Sequence, residues 1–151
     1  MTENESTAPP ARLRALLSWQ ANRVNVLGSR LTGTRMPATG RADFAVLAAL
    51  DEYGPHSQAD LGRQLGLDRN TINGIVTRLD GAGHIVRATD AADRRRNTVA
   101  ITPLGQRYLD ELQAATDAVQ AELAAPLSEA EAAQLRTLLG KILDAHPGLP
   151  G

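Results

Sequence analysis

Apolar residues along this chain change their period twice, dividing it into helices, a short β-prone stretch and helices again. Between residues 12 and 31, Leu13, Leu17, Val24, Leu27 and Leu31 recur at helical spacing with Leu16 beside them, which predicts one helix. Residues 33–40 include Pro37 and read as a loop. A second helix is predicted over 42–53, with Phe44, Val46, Leu47 and Leu50 apolar, and Gly54-Pro55 stops it. Two shorter helices follow. Ser57-Gln58-Ala59-Asp60 has the capping-box pattern, in which hydroxyl and carboxylate satisfy each other's free backbone N–H groups. The helix it opens contains Leu61 and Leu65 and ends at Gly66. Asp68 then caps a helix from Arg69 to about Gly81, where Ile72, Ile75, Val76 and Leu79 make one stripe. The joint Leu65-Gly66-Leu67-Asp68 is the short, glycine-containing turn of a helix-turn-helix.

After Gly83 the period becomes that of strands. His84-Ile85-Val86-Arg87 and Asn97-Thr98-Val99-Ala100-Ile101 flank a polar connection over 88–96, which predicts a hairpin with a basic tip, a wing. Thr102-Pro103 pairs an N-cap with proline at the first helical position. A long helix to about Ala124 follows, with Tyr108, Leu112, Ala115, Val119 and Leu123 on one face. Pro126 ends it, and Ser128-Glu129-Ala130-Glu131, a second capping box, opens a last helix carrying Leu135, Leu138, Leu139, Ile142 and Leu143. Residues 1–10, polar and ending in Pro-Pro, are expected to be a disordered leader.

Composition narrows the chemistry. The chain has 151 residues, 42% hydrophobic, which suits one compact domain. It has no cysteine, which removes disulfides, thiolate metal sites, cysteine nucleophiles and sulfenic-acid sensing. One Trp, two Tyr and one Phe are too few to build base-stacking platforms. No apolar run approaches the roughly 20 residues of a membrane span, and no signal pattern opens the chain, so a cytoplasmic location is expected. His56, His84 and His146 are scattered without ligand spacing. No nucleophile elbow, phosphate loop or His-Glu-x-x-His pattern occurs, so no enzyme, metal or cofactor is expected.

Charge is informative through its distribution. Residues 56–102 hold seven Arg against five Asp, a net of +2, whereas residues 103–151 net −4. A basic middle beside an acidic end suits a nucleic-acid-binding core joined to a part that does not bind. With its apolar stripe turned inward, the helix after Asp68 presents Arg69, Asn70, Thr71, Asn73, Gly74, Thr77 and Arg78, short polar groups and two forked cations matched to a major groove. Gly74 costs roughly 1 kcal/mol of helix stability against Ala, which a close approach of backbone to DNA would explain. Ser57 and Gln58 open the preceding helix, whose N–H groups suit a phosphate. Arg94, Arg95 and Arg96 repel one another on a hairpin tip, a clustering that gains something only against a negative groove.

From Ser57 to Gly105 the chain resembles the MarR family of bacterial winged-helix regulators. The resemblance rests on the 81–83 turn, the apolar strand ending in Arg87, Asp93-Arg94-Arg95 in the wing, and Ile101-Thr102-Pro103-Leu104-Gly105, similar to a Leu-Thr-x-x-Gly signature. It implies that Arg95 enters the minor groove with Asp93 orienting it, while Arg94 and Arg96 meet phosphates. It also implies a homodimer built from the first and last helices, for which the long aliphatic stripes supply surface. Small aromatic or phenolic acids are implied effectors, with Trp19, Gln20, Arg23, Phe44 and Leu47 as candidates to line their pocket.

The expected architecture is mainly α with a small β-hairpin: a leader over 1–10, a dimerisation helix over 11–32, a winged helix-turn-helix over 41–102, and C-terminal dimerisation helices over 103–145. The expected function is sequence-specific regulation, most simply repression, at a pseudo-palindromic double-stranded operator. The alternative is a winged helix used as a protein-interaction module, against which the basic wing speaks.

Overall fold

The computed structural model describes residues 8–89, 92 and 97–148. In chain order these form α1 (Ala11–Arg14), α2 (Leu17–Gly33), α3 (Gly40–Tyr53), β1 (His56–Ser57), α4 (Gln58–Leu65), α5 (Arg69–Gly81), β2 (Ile85–Thr89), β3 (Asn97–Ile101), α6 (Pro103–Ala124) and α7 (Glu129–Asp144). The fold is mainly helical with a small antiparallel sheet, in the expected class.

Two elements differ from the sequence reading. The helix expected over 12–31 is broken at Ala15 and Leu16, where Leu16 adopts an extended conformation. No Gly or Pro marks that break; the Gln20 side-chain amide donates to the Arg14 carbonyl across it at 2.7 Å. The hairpin is also not alone. β1, only two residues long, pairs with β3, so the strand order is β1-β3-β2, with His56 opposite Val99 and Ile85 opposite Ile101.

Local chemistry fixes the reading unit. Ser57 caps α4, and Gly66 ends that helix in the left-handed region at φ 65°, where a side chain would be strained. Asp68 caps α5 by accepting from the Thr71 N–H at 2.8 Å. Ile72, Ile75, Val76 and Leu79 are all buried, joining Leu47, Leu50, Leu61, Ile85, Val99, Leu109 and Leu112 in one core. Thr102 explains the Thr-x-x-Gly junction: its hydroxyl accepts from the Gly105 N–H at 3.0 Å and donates to the Gly83 carbonyl at 2.6 Å. Any side chain at position 105 would collide with the His84 carbonyl, so only glycine lets α6 sit this close to the start of β2.

The outer helices behave differently. α6 buries Leu109, Leu112 and Val119, but α1, α2 and α7 bury no residue at all. Leu17 and Leu143 are each 71% exposed, and Leu16, Val24, Leu27, Leu135, Leu138, Leu139 and Ile142 are exposed with them. The α7 stripe read from sequence is present, yet nothing among the described residues buries it.

Candidate nucleic-acid interface

α5 is laid across the molecule by its buried stripe, so its opposite face is forced outward. Arg69, Asn70, Thr71, Asn73, Gly74 and Thr77 are all exposed there. The Asp68 carboxylate is held below its ordinary range, first by the Thr71 backbone N–H and then by the Thr71 hydroxyl, so the cap is anionic at neutral pH. Gln58 extends the face: its side-chain amide donates to Asn73 Oδ1 at 3.2 Å, tying the start of α4 to the middle of α5. A Cβ added at Gly74 would meet nothing within 4 Å, so no packing inside the chain calls for glycine there.

Beside this face lies an open concavity of about 840 Å³, walled by the first turns of α4 and α5 and by β2. Ser57, Gln58, Arg69, Asn70 and Asn73 line it, together with Arg63 and Arg87, which sequence reasoning had not singled out. Arg63 is ion-paired with Asp60. Arg87 donates to the Thr77 hydroxyl at 2.8 Å and lies 3.4 Å from Asp80, so it fastens β2 to α5. Its pairing across 10 residues leaves no local trace in the sequence.

Two expected site residues also have partners within the chain. Ser57 is buried, and its hydroxyl accepts from the Asp60 N–H at 3.1 Å and donates to the Asp60 carboxylate at 2.6 Å, which commits it to the helix cap. Arg78 is exposed like its neighbours, its side chain at 40%, and its guanidinium pairs with Asp43 of α3, which is only 3% exposed and would be costly to bury unpaired. The other oxygen of Asp43 accepts from the Tyr108 hydroxyl of α6 at 2.8 Å. Burial, that hydrogen bond and the Asp43 charge push the Tyr108 phenol up to about 12.

Thr89 pairs with Asn97 at the end of the β2–β3 ladder that flanks the expected wing. Asp93, Arg94, Arg95 and Arg96 lie outside the described residues.

The residues expected to line an effector pocket do not converge. Leu47 is fully buried in the core, Gln20 is bonded to Arg14, and the Arg23 guanidinium lies 5.8 Å from the Trp19 ring centre in a cation–π contact. Of the five, Phe44 lines a cavity of about 370 Å³ between α2, α3 and α6. Its wall also includes Val24, Asn25, Thr32, Arg41, Thr116 and Gln120. This cavity lies further along α2 than Trp19.

A helix-turn-helix with an outward polar face, a three-stranded sheet and a long helix entered through Thr-x-x-Gly together define a winged helix-turn-helix protein. The model of the MarR family matches residues 39–96. The HTH-type transcriptional repressor NicR of Pseudomonas putida is 31% identical over 109 residues, covering 72% of this chain and 69% of that protein. Among solved structures, a probable transcriptional regulator from Pseudomonas aeruginosa is similar at TM-score 0.77 and 33% identity, covering 87% of this chain and all (100%) of that one. Bordetella bronchiseptica BpsR, whose DNA binding is regulated by 6-hydroxynicotinic acid, is similar at TM-score 0.74 and 25% identity, covering 83% of this chain and 97% of that one. The chain belongs to the MarR family, a family of transcriptional regulators.

Proposed function

We propose that this chain is a DNA-binding transcriptional repressor that holds a pseudo-palindromic operator as a homodimer and lets go when a small aromatic acid binds. The observation that carries the reading is the outward face of α5: Arg69, Asn70, Thr71, Asn73, Thr77 and Arg78 stand exposed around Gly74 over a buried stripe, with the start of α4 tied to them through Gln58 and Asn73. Asn70, Thr71, Asn73 and Thr77 supply donors and acceptors for base edges, Arg69 a forked cation, and Gly74 a place for close backbone approach. Asp93 and the three arginines of the wing would add minor-groove and phosphate contacts. The molecule then acts by binding rather than catalysis, and in the cytoplasm, where its DNA is. No described helix is long and apolar enough to cross a membrane.

The homodimer is supported by the apolar faces of α2 and α7, where Leu17, Val24, Leu27, Leu135, Leu138, Leu139, Ile142 and Leu143 stand exposed together on amphipathic helices. Pairing these helices divides the chain into a reading unit over 41–102 and dimerisation helices over 11–32 and 103–145. The effector reading is supported by the α2–α3–α6 cavity, whose size suits one small ring and whose lining includes Arg41 and Phe44. The similarity to NicR and BpsR supports both the repressing sign and a hydroxylated aromatic acid as ligand.

The test is selection of tight binders from a random-sequence duplex pool with the full chain, followed by footprinting. An inverted repeat protected on two successive turns is expected, with release by 6-hydroxynicotinic acid or a related aromatic acid. Recovery of no preferred sequence would overturn the operator reading; a preferred sequence untouched by aromatic acids would overturn the effector alone.

A further inference from the structure

The Asp43 carboxylate is a polar group in a place where an apolar side chain would serve stability as well, since exchanging a buried ion pair for packed hydrophobic groups is often neutral or better. What it has that an apolar residue lacks is direction. Its two oxygens are engaged by donors from two other elements, Arg78 in the last turn of α5 and Tyr108 in the second turn of α6. A third element bears on the same point: the His84 imidazole, in the turn leading from α5 into β2, stacks on the Tyr108 ring at 4.4 Å between centres and 22° between planes. His84 Nδ1 is buried with no hydrogen-bond partner among the described residues, so that nitrogen does not fix the stack. Hydrophobic contacts tolerate sliding; a carboxylate with a donor on each oxygen does not.

We infer that Asp43 is a positioning residue for operator recognition, joining α5 to α6 through one buried carboxylate so that the dimer helix sets the angle of the reading helix. The inference rests on the DNA-binding reading above and gives Arg78 a role that is indirect: it holds α5 in place and does not touch DNA. The two roles leave different signatures. A phosphate contact contributes about one unit to the slope of affinity against salt and acts whether or not Asp43 is charged. A positioning contact leaves the slope alone and vanishes when its partner is removed.

The experiment titrates the full chain and its variants against the selected operator duplex and a random-sequence duplex over a range of salt. Partial misfolding scales both affinities equally, so their ratio isolates positioning. Asp43→Asn keeps the shape and removes the charge; it is expected to lower the operator-to-random ratio about tenfold. Tyr108→Phe keeps the ion pair and is expected to lower the ratio less, by about threefold. Arg78→Ala is expected to add nothing in the Asp43→Asn background and to leave the salt slope unchanged. An unchanged ratio in Asp43→Asn overturns the inference, and where that variant does not fold, an unchanged ratio in Tyr108→Phe does so. An Arg78→Ala effect that is fully additive and flattens the salt slope overturns it too, making Arg78 a direct phosphate contact. A wild-type chain with no operator preference overturns the underlying reading, a result distinct from all of these.

Discussion

Ile72 and Leu143 are both aliphatic residues on amphipathic helices, yet Ile72 is 2% exposed and Leu143 is 71% exposed. The contrast holds for the regions they represent. The segment from α3 to β3 closes one core together with the start of α6: every apolar residue of the α5 stripe is buried, each helix between Ser57 and Gly81 is capped by a side chain, and Leu109 and Leu112 of α6 complete it. α2 and α7 have the periodicity, and α7 the capping box, of good helices, but not one buried residue between them. Periodicity therefore says that a face will be covered, not that the same chain covers it.

Substitutions on the two sides should separate cleanly. Ile72→Ala removes packed methyl groups from a closed core and should cost about 2–5 kcal/mol, read as a large drop in thermal midpoint. If it costs less than about 1 kcal/mol, the core around α5 is not packed as described. Leu143→Asp should barely change the helicity of a dilute sample but should shift sedimentation from dimer to monomer, because the face it spoils is left exposed by the described residues. A variant that stays dimeric while losing helicity would place α7 against its own chain.

How much of this was legible follows from how far apart the interacting residues are. Caps at Ser57, Asp68, Thr102 and Ser128 each act across three residues, and all four were readable from spacing alone. The stripe of α5 was equally local. β1 was not, because a two-residue strand has no period and exists only through pairing with Val99 and Thr98. The pairing of Arg78 with Asp43 was hidden for the same reason: its partner is 35 residues away, and Tyr108 is 65 from that partner. On a helical wheel Arg78 belongs with Thr71 and Gly74, and it is exposed as they are while its guanidinium reaches a buried charge on a different helix. The α2–α3–α6 cavity was not legible either, since Trp19 attracts attention by its rarity while the cavity forms more than two turns further along α2, where Gly28 and Thr32 line it.

Gly74→Ala sharpens the comparison from inside the reading unit. With open space around the added methyl, the helix should gain about 1 kcal/mol, raising the thermal midpoint, while operator affinity falls because the backbone no longer approaches as closely. Stability and binding moving in opposite directions would mark an outward-facing functional surface; a gain in both would mark idle surface. The smallest effect concerns the cap. In the folded chain the Asp68 carboxyl titrates below its unfolded value of 3.8, so its contribution is complete above that value and is lost as pH falls through the lower folded one. Melting curves taken downward from about pH 5 should therefore fall more steeply for the wild type than for Asp68→Asn. Parallel curves would show that the cap does not hold in solution.

The central claim is that a self-contained reading unit is doubled by helices that cannot cover themselves, which fixes two copies of α5 about one DNA turn apart. Spacing tests it most directly. Duplexes carrying two selected half-sites should bind tightly at roughly 10 base pairs between centres and lose most of that affinity when about 5 base pairs are inserted, turning one half-site to the opposite face. Equal affinity at both spacings, or for a lone half-site, would contradict the account.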